Sequence, residues 1–259
     1  MEVASKVVFG VAAGCVLWLL HRGIGTYPPP LPQSPQPRRE AGTAVLLWLA
    51  ALATETLRVV ASTPWLERTV PNPTLRELVQ APLLSVPYLA LPLFVVVRRD
   101  GWRARDLGFV WRTRSRSVTA FAVAFGALSG SVPFLTGQAV MGYDPLPPAV
   151  FVLLLYTNAF LEEFFHRGVV QAKLERALGQ ARAVLYGGVL FGLTHVAFDV
   201  SRLLDTQGLV AVGLAMVLQG MAGSLFGIIY IKTRSLWPGV ACHYLINWLS
   251  AILVATFRP

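Results

Sequence analysis

The stretch AVFVLLLYTNAFLEEFFHR, residues 149–167, decides the fold. A nearly unbroken apolar run from Ala149 to Leu161 leads straight into two adjacent glutamates, Glu162 and Glu163. A carboxylate at the centre of a membrane helix costs about 2.5–3.5 kcal/mol on insertion scales. Two in a row must therefore be neutralised by partners or used for chemistry. The rest of the chain makes a membrane the right setting. Of its 259 residues 55% are hydrophobic and only 14% charged, and the mean hydropathy is +0.59, whereas soluble domains carry about 25% charged residues. The composition predicts an all-α, polytopic integral membrane helix bundle.

Working outward, about 20 apolar residues are needed to cross the hydrocarbon, and about eight transmembrane helices are expected. They lie near 4–20, 44–61, 79–97, 118–135, 149–165, 183–199, 209–231 and 236–257. The first is short, but no small-x-small cleavage site follows it cleanly, so it is read as a helix rather than a signal peptide. Glu55 and Arg58 in the second form a self-shielding i,i+3 pair. Pro82, Pro87 and Pro92 predict a kinked third helix. Residues 23–43 read as a Pro-rich extended linker. There is no internal repeat. Cys15 and Cys242 sit far apart in apolar runs and do not suggest a disulfide framework. Cys242 reads as a packed core residue rather than a nucleophile, because adjacent helical residues diverge by about 100°.

The net charge of +9 resides mainly in loops between apolar runs, which points to membrane orientation and not to nucleic-acid binding. Loops 21–43, 98–117, 166–182 and 232–235 hold 16 of the 22 Lys and Arg; the opposite side holds 5, and Arg58 lies within a helix. By the positive-inside rule the Arg-rich 98–117 loop is cytoplasmic and both termini face out.

Polar residues interrupt three of the last four helices in one membrane layer. At about 1.5 Å rise per residue, Glu162 lies about 10 Å from the cytoplasmic edge, His195 about 18 Å in, and His243 and Asn247 about 10 and 16 Å in. Within each helix the spacing is i,i+4: Glu163 with Arg167, Phe191 with His195, His243 with Asn247. Glu163 N-terminal to Arg167 is the favourable order for an ion pair, so Glu163 is expected to be held ionised while Glu162 faces the bundle interior. A carboxylate and an imidazole at one depth can hold and deprotonate a water. A second imidazole and an amide can stabilise an oxyanion. The expected catalytic set is Glu162, Glu163, His195, His243 and Asn247, supported structurally by Arg167 and Phe191. His166 reads as an interfacial residue.

The three motifs, Glu162-Glu163-Phe164-Phe165-His166-Arg167, Phe191-Gly192-Leu193-Thr194-His195 and His243-Tyr244-Leu245-Ile246-Asn247, resemble those of the CPBP intramembrane proteases. That family comprises the type II CAAX prenyl endopeptidases and bacteriocin-processing, Abi-like proteins. The lead-in Ser235-Leu236-Trp237-Pro238 is also similar, and the resemblance covers about residues 105–257. It divides the chain into residues 1–104, N-terminal helices and linker, and 105–259, a catalytic membrane core. His166 departs from the pattern, which has an apolar or aromatic residue there. The resemblance implies Glu162 as water-activating base aided by His195, with His243 and Asn247 as oxyanion site.

No cofactor is expected. The Glu163-x-x-His166 spacing matches half of a di-iron motif, but no second copy exists. The alternative is a Zn²⁺ ion held by Glu162, His195 and His243, a His₂Glu set. The expected substrate is a membrane-anchored or lipidated protein or peptide in the bilayer. Competing functions are a proton-coupled transporter and a non-enzymatic immunity protein. Scarce lysine with abundant alanine and arginine suggests a bacterial chain from a GC-rich genome, hence a multi-pass protein of the inner (plasma) membrane. The resemblance ties prenylated substrates to eukaryotic members. That shifts the expected substrate toward a leader peptide, a bacteriocin precursor or a C-terminal sorting anchor.

Overall fold

In lipid every backbone polar group must be satisfied internally, so a chain this apolar folds as helices. The structure, a computed structural model, describes residues 2–111, 113–136 and 148–257. Arg112, most of the expected outer loop 136–148 and Arg258 lie outside the described residues.

Among the described residues eight long helices follow one another: α1 (Glu2–Gly23), α2 (Pro37–Thr69), α3 (Thr74–Arg99), α4 (Arg116–Leu135), α5 (Ala149–Leu178), α6 (Gln180–Thr194), α7 (Val196–Thr233) and α8 (Trp237–Phe257). Among the described residues α2, α3, α4, α5, α7 and α8 are long and apolar enough to cross a membrane. The expected all-α membrane bundle is therefore correct. The expected details at 183–209 are not. The helix carrying His195 stops at Thr194, and the expected 200–208 loop is helical, interrupted only at Gly208. There a φ of 76° redirects the chain, a conformation that glycine adopts at no steric cost.

α5 is the central helix. Half of its apolar window is buried inside the protein, against 22–33% for the other long helices. Leu161, Phe164, Phe165, Val169 and Val170 pack into a core shared with α2, α3, α7 and α8. Wider π turns occupy Leu155–Phe160 and Phe164–Gln171, on either side of the glutamates; such turns recur at functional sites. α3 also contains π turns at Val86–Ala90, which includes Pro87, and at Phe94–Arg99, just after Pro92. Arg58 donates to both oxygens of Glu55, and also to Gln80 on α3.

Helix contacts depend on small residues, which let backbones approach where no hydrophobic force drives helices together. Gly126 and Gly130 of α4 lie against the α8 backbone near Cys242 and Leu245. Gly188 and Gly192 of α6 lie against Gly220 and Met216 of α7. A Cβ on Gly130 would sit 2.0 Å from the Leu245 carbonyl oxygen, whereas one on Gly42 would meet nothing within 4 Å. Gly130→Ala is expected to destabilise by at least about 1–3 kcal/mol through overpacking, and Gly42→Ala to be harmless. Thermal unfolding of both variants in detergent checks this; equal midpoints would refute the contact.

The four segments expected as positively charged loops meet at one end of the bundle, although 166–182 is helical except at Gly179, because α5 runs on to Leu178. Lys173 is buried and pairs with Glu40 at 2.7 Å and Asp100 at 2.5 Å. Arg234 grips Glu175 with two bonds of 2.7 Å, and Glu175 also accepts from the Leu31 amide. Lys232 donates to the carbonyls of Leu20 and Ile24 and so closes the C-terminus of α1. Buried charges persist when paired or hydrogen-bonded: Lys173 and Arg234 are paired with carboxylates, and Lys232 is held by carbonyls.

Candidate active site

α5 presents the two glutamates to different partners. Glu163 is fully buried; Arg167 Nε donates to its Oε2 at 3.2 Å and His243 Nδ1 to its Oε1 at 3.0 Å. The space beside Glu163 exists because residue 239 is glycine, whose Cβ would stand 3.1 Å from Oε2. The Arg167 guanidinium lies 4.9 Å from the Phe191 ring centroid and 5.8 Å from that of Phe226, a cation–π setting for a buried charge. Phe226 also stacks on His243. Phe191 thus packs between the Arg167 guanidinium and the rings of His195 and His243.

Glu162 turns the other way. Asn158 Nδ2 donates to its Oε1 at 3.2 Å. Its Oε2 lies 3.8 Å from His195 Nε2 and has no hydrogen-bond partner among the described residues. His195 sits at the break between α6 and α7. Its Nδ1 lies 2.9 Å from the Phe191 carbonyl, which can only accept, so Nδ1 carries the proton. In the neutral ring Nε2 is then an acceptor aimed at Glu162. Trp48 Nε1 donates to Thr194 Oγ1 and Leu190 O, fastening the end of α6 where His195 emerges. Asn247 Nδ2 reaches Asn158 Oδ1 at 2.9 Å, and Trp248 Nε1 reaches the same oxygen at 3.1 Å.

The site therefore has two tiers. Glu162 and His195 are partly open, with side-chain exposure of 16% and 25%, and Asn247 is exposed. Glu163, Arg167 and His243 are sealed, at 0%, 0% and 6%. All five expected catalytic residues and both supports come together. His166 does not fit its expected interfacial position. It is 1% exposed, edge-on to Phe165 and Phe191, because α5 is enclosed by its neighbours. The donors weighed for zinc are not gathered around one point: no cluster of three His, Cys, Asp or Glu among the described residues could hold a metal ion. Cys242 is buried, as expected of a core residue. Asn158, Trp48 and Trp248 went unread in the sequence. An asparagine four residues before Glu162 was the one available signal.

Helices long enough to span a bilayer, enclosing ionisable side chains, mark an integral, multi-pass membrane protein with a functional interior. Residues 144–249, which hold every expected catalytic residue, match the family model described as Rce1-like, type II CAAX prenyl endopeptidase. The match supports a protease of the CAAX type, and the likeness to CPBP intramembrane proteases holds over that segment. No curated protein and no solved structure gives a match.

Proposed function

We propose that the protein hydrolyses a peptide bond of a membrane-associated or lipidated protein, using a water activated by Glu162 and His195. The observation that carries this is the 3.8 Å approach of two acceptors, Glu162 Oε2 and His195 Nε2. Neither has a proton to give the other in the neutral-ring state, so a donor bonded to both is required, and a water molecule supplies it. Glu162 takes the proton as the water oxygen attacks the scissile carbonyl carbon. The oxyanion receives hydrogen bonds from His243 Nε2–H and the second Nδ2–H of Asn247. Glu163 acts through His243. Accepting from Nδ1, it orients the ring and supports the imidazolium form, the only one that can also donate from Nε2. Collapse of the tetrahedral species breaks the C–N bond, and the leaving amine takes the proton from Glu162.

An apolar groove of about 560 Å³ between α5 and α8, bordered by Leu155, Tyr156, Phe160, Trp237 and Tyr244, supports entry of a membrane-anchored segment beside this site. Residues 1–104 are assigned to substrate recognition, and the bacterial inner membrane is the proposed location. A leader peptide, a bacteriocin precursor or a sorting anchor fits this setting.

His195→Ala and His243→Ala are each expected to lower kcat by about 10²–10³ without preventing insertion. The substrate comes from comparing processed protein termini in membranes with and without the gene. Unchanged cleavage in both variants would remove the assignment.

A further inference from the structure

We infer that Asn158 is a positioning residue that decides which oxygen of Glu162 stays free; this rests on Glu162 being the base. The two ends of an asparagine amide are told apart by their neighbours. Here the neighbours leave one answer. The Trp248 indole N–H can only donate, and it lies 3.1 Å from the Asn158 amide, so that end is the oxygen. Asn247 donates to the same oxygen at 2.9 Å. The nitrogen end is thereby turned to Glu162 Oε1, 3.2 Å away. Two donors on α8 thus hold one amide on α5, and that amide caps one carboxylate oxygen.

The consequence concerns the base itself. Rotation about the last bond of a glutamate side chain is broad and roughly two-fold. Nothing else among the described residues hydrogen-bonds either oxygen of Glu162. With Oε1 capped, Oε2 remains directed at His195; without the cap the carboxylate can turn, and the bridging position is lost. The relay also ties the base to α8, the helix that carries His243, so both halves of the site share one register.

The decisive variant is Asn158→Asp. It retains an acceptor for Trp248 and Asn247 but replaces the donor to Glu162 with a second carboxyl oxygen, so that Oε1 is repelled and no longer capped. The assay is cleavage of a peptide spanning the processed site of the membrane protein whose mature terminus disappears when the gene is deleted. Asn158→Asp is expected to lower kcat about 10- to 100-fold, the range for a hydrogen bond to a charged group, with KM and the unfolding midpoint little changed. Trp248→Phe, which leaves Asn247 to hold the amide alone, is expected to lower kcat about 2- to 10-fold. Wild-type kcat in Asn158→Asp beside an inactive Glu162→Gln overturns the positioning role and leaves the base in place. An active Glu162→Gln removes the base and this inference together. If Asn158→Asp does not fold, Trp248→Phe decides: a drop in kcat at constant KM supports the relay, and no drop refutes it.

Discussion

Glu162→Gln is expected to abolish processing while leaving the protein folded and inserted. The two faces of the glutamate pair differ in what they do for stability. Glu162 has one amide contact, which the glutamine oxygen can still accept, and an oxygen with no hydrogen-bond partner among the described residues, so an isosteric amide loses little stability. The desolvation of an unpaired carboxylate is also relieved, and the unfolding midpoint should be equal or higher, as is common when a functional group is neutralised. Catalysis, by contrast, loses its proton acceptor, and kcat should fall by about 10²–10⁴. The measurement pairs terminal proteomics of membranes with thermal unfolding of the purified protein. Full processing by a well-folded Glu162→Gln protein would end the proposed mechanism.

Arg167→Met is expected to do the reverse and strike the fold first. Arg167 and Glu163 are both fully buried. Taking away one partner of a buried ion pair costs about 3–5 kcal/mol, here because Glu163 is left with His243 as its one remaining partner. A double variant, Glu163→Gln with Arg167→Met, removes both charges and should regain most of that stability. It should not regain activity, because the Glu163 oxygen that accepts from His243 is then an amide or lost to it. Urea or thermal unfolding of single and double variants, with cleavage measured alongside, separates these outcomes. An Arg167→Met protein as stable as the wild type would show that Glu163 does not depend on its pair.

These expectations differ in how far each was readable before any coordinates. The ion pair was readable: Glu163 and Arg167 are four apart in favourable order, and helical geometry alone brings them together. The divergence of Glu162 from Glu163 was readable for the same reason. His166 was not. Its fate depends on which helices enclose α5, and no local periodicity encodes that. The same holds for the partner of His243. Sequence spacing grouped it with Asn247, yet its bond is to Glu163, 80 residues away.

What the amino-acid order determined by itself was the medium, the helices and the residue types at stake. Apolar runs allow few alternatives in lipid, and motif spacing follows from helical pitch. The loops grouped by their excess arginine are likewise the ones that meet at one end of the bundle. Only tertiary structure decided where helices stop and which polar atoms pair. The break at His195, the turn at Gly208 and the amide held by Trp248 arise between segments distant in the chain. Their reason is packing: small residues at 126, 130, 188 and 192 let particular helices approach, and that approach selects the partners.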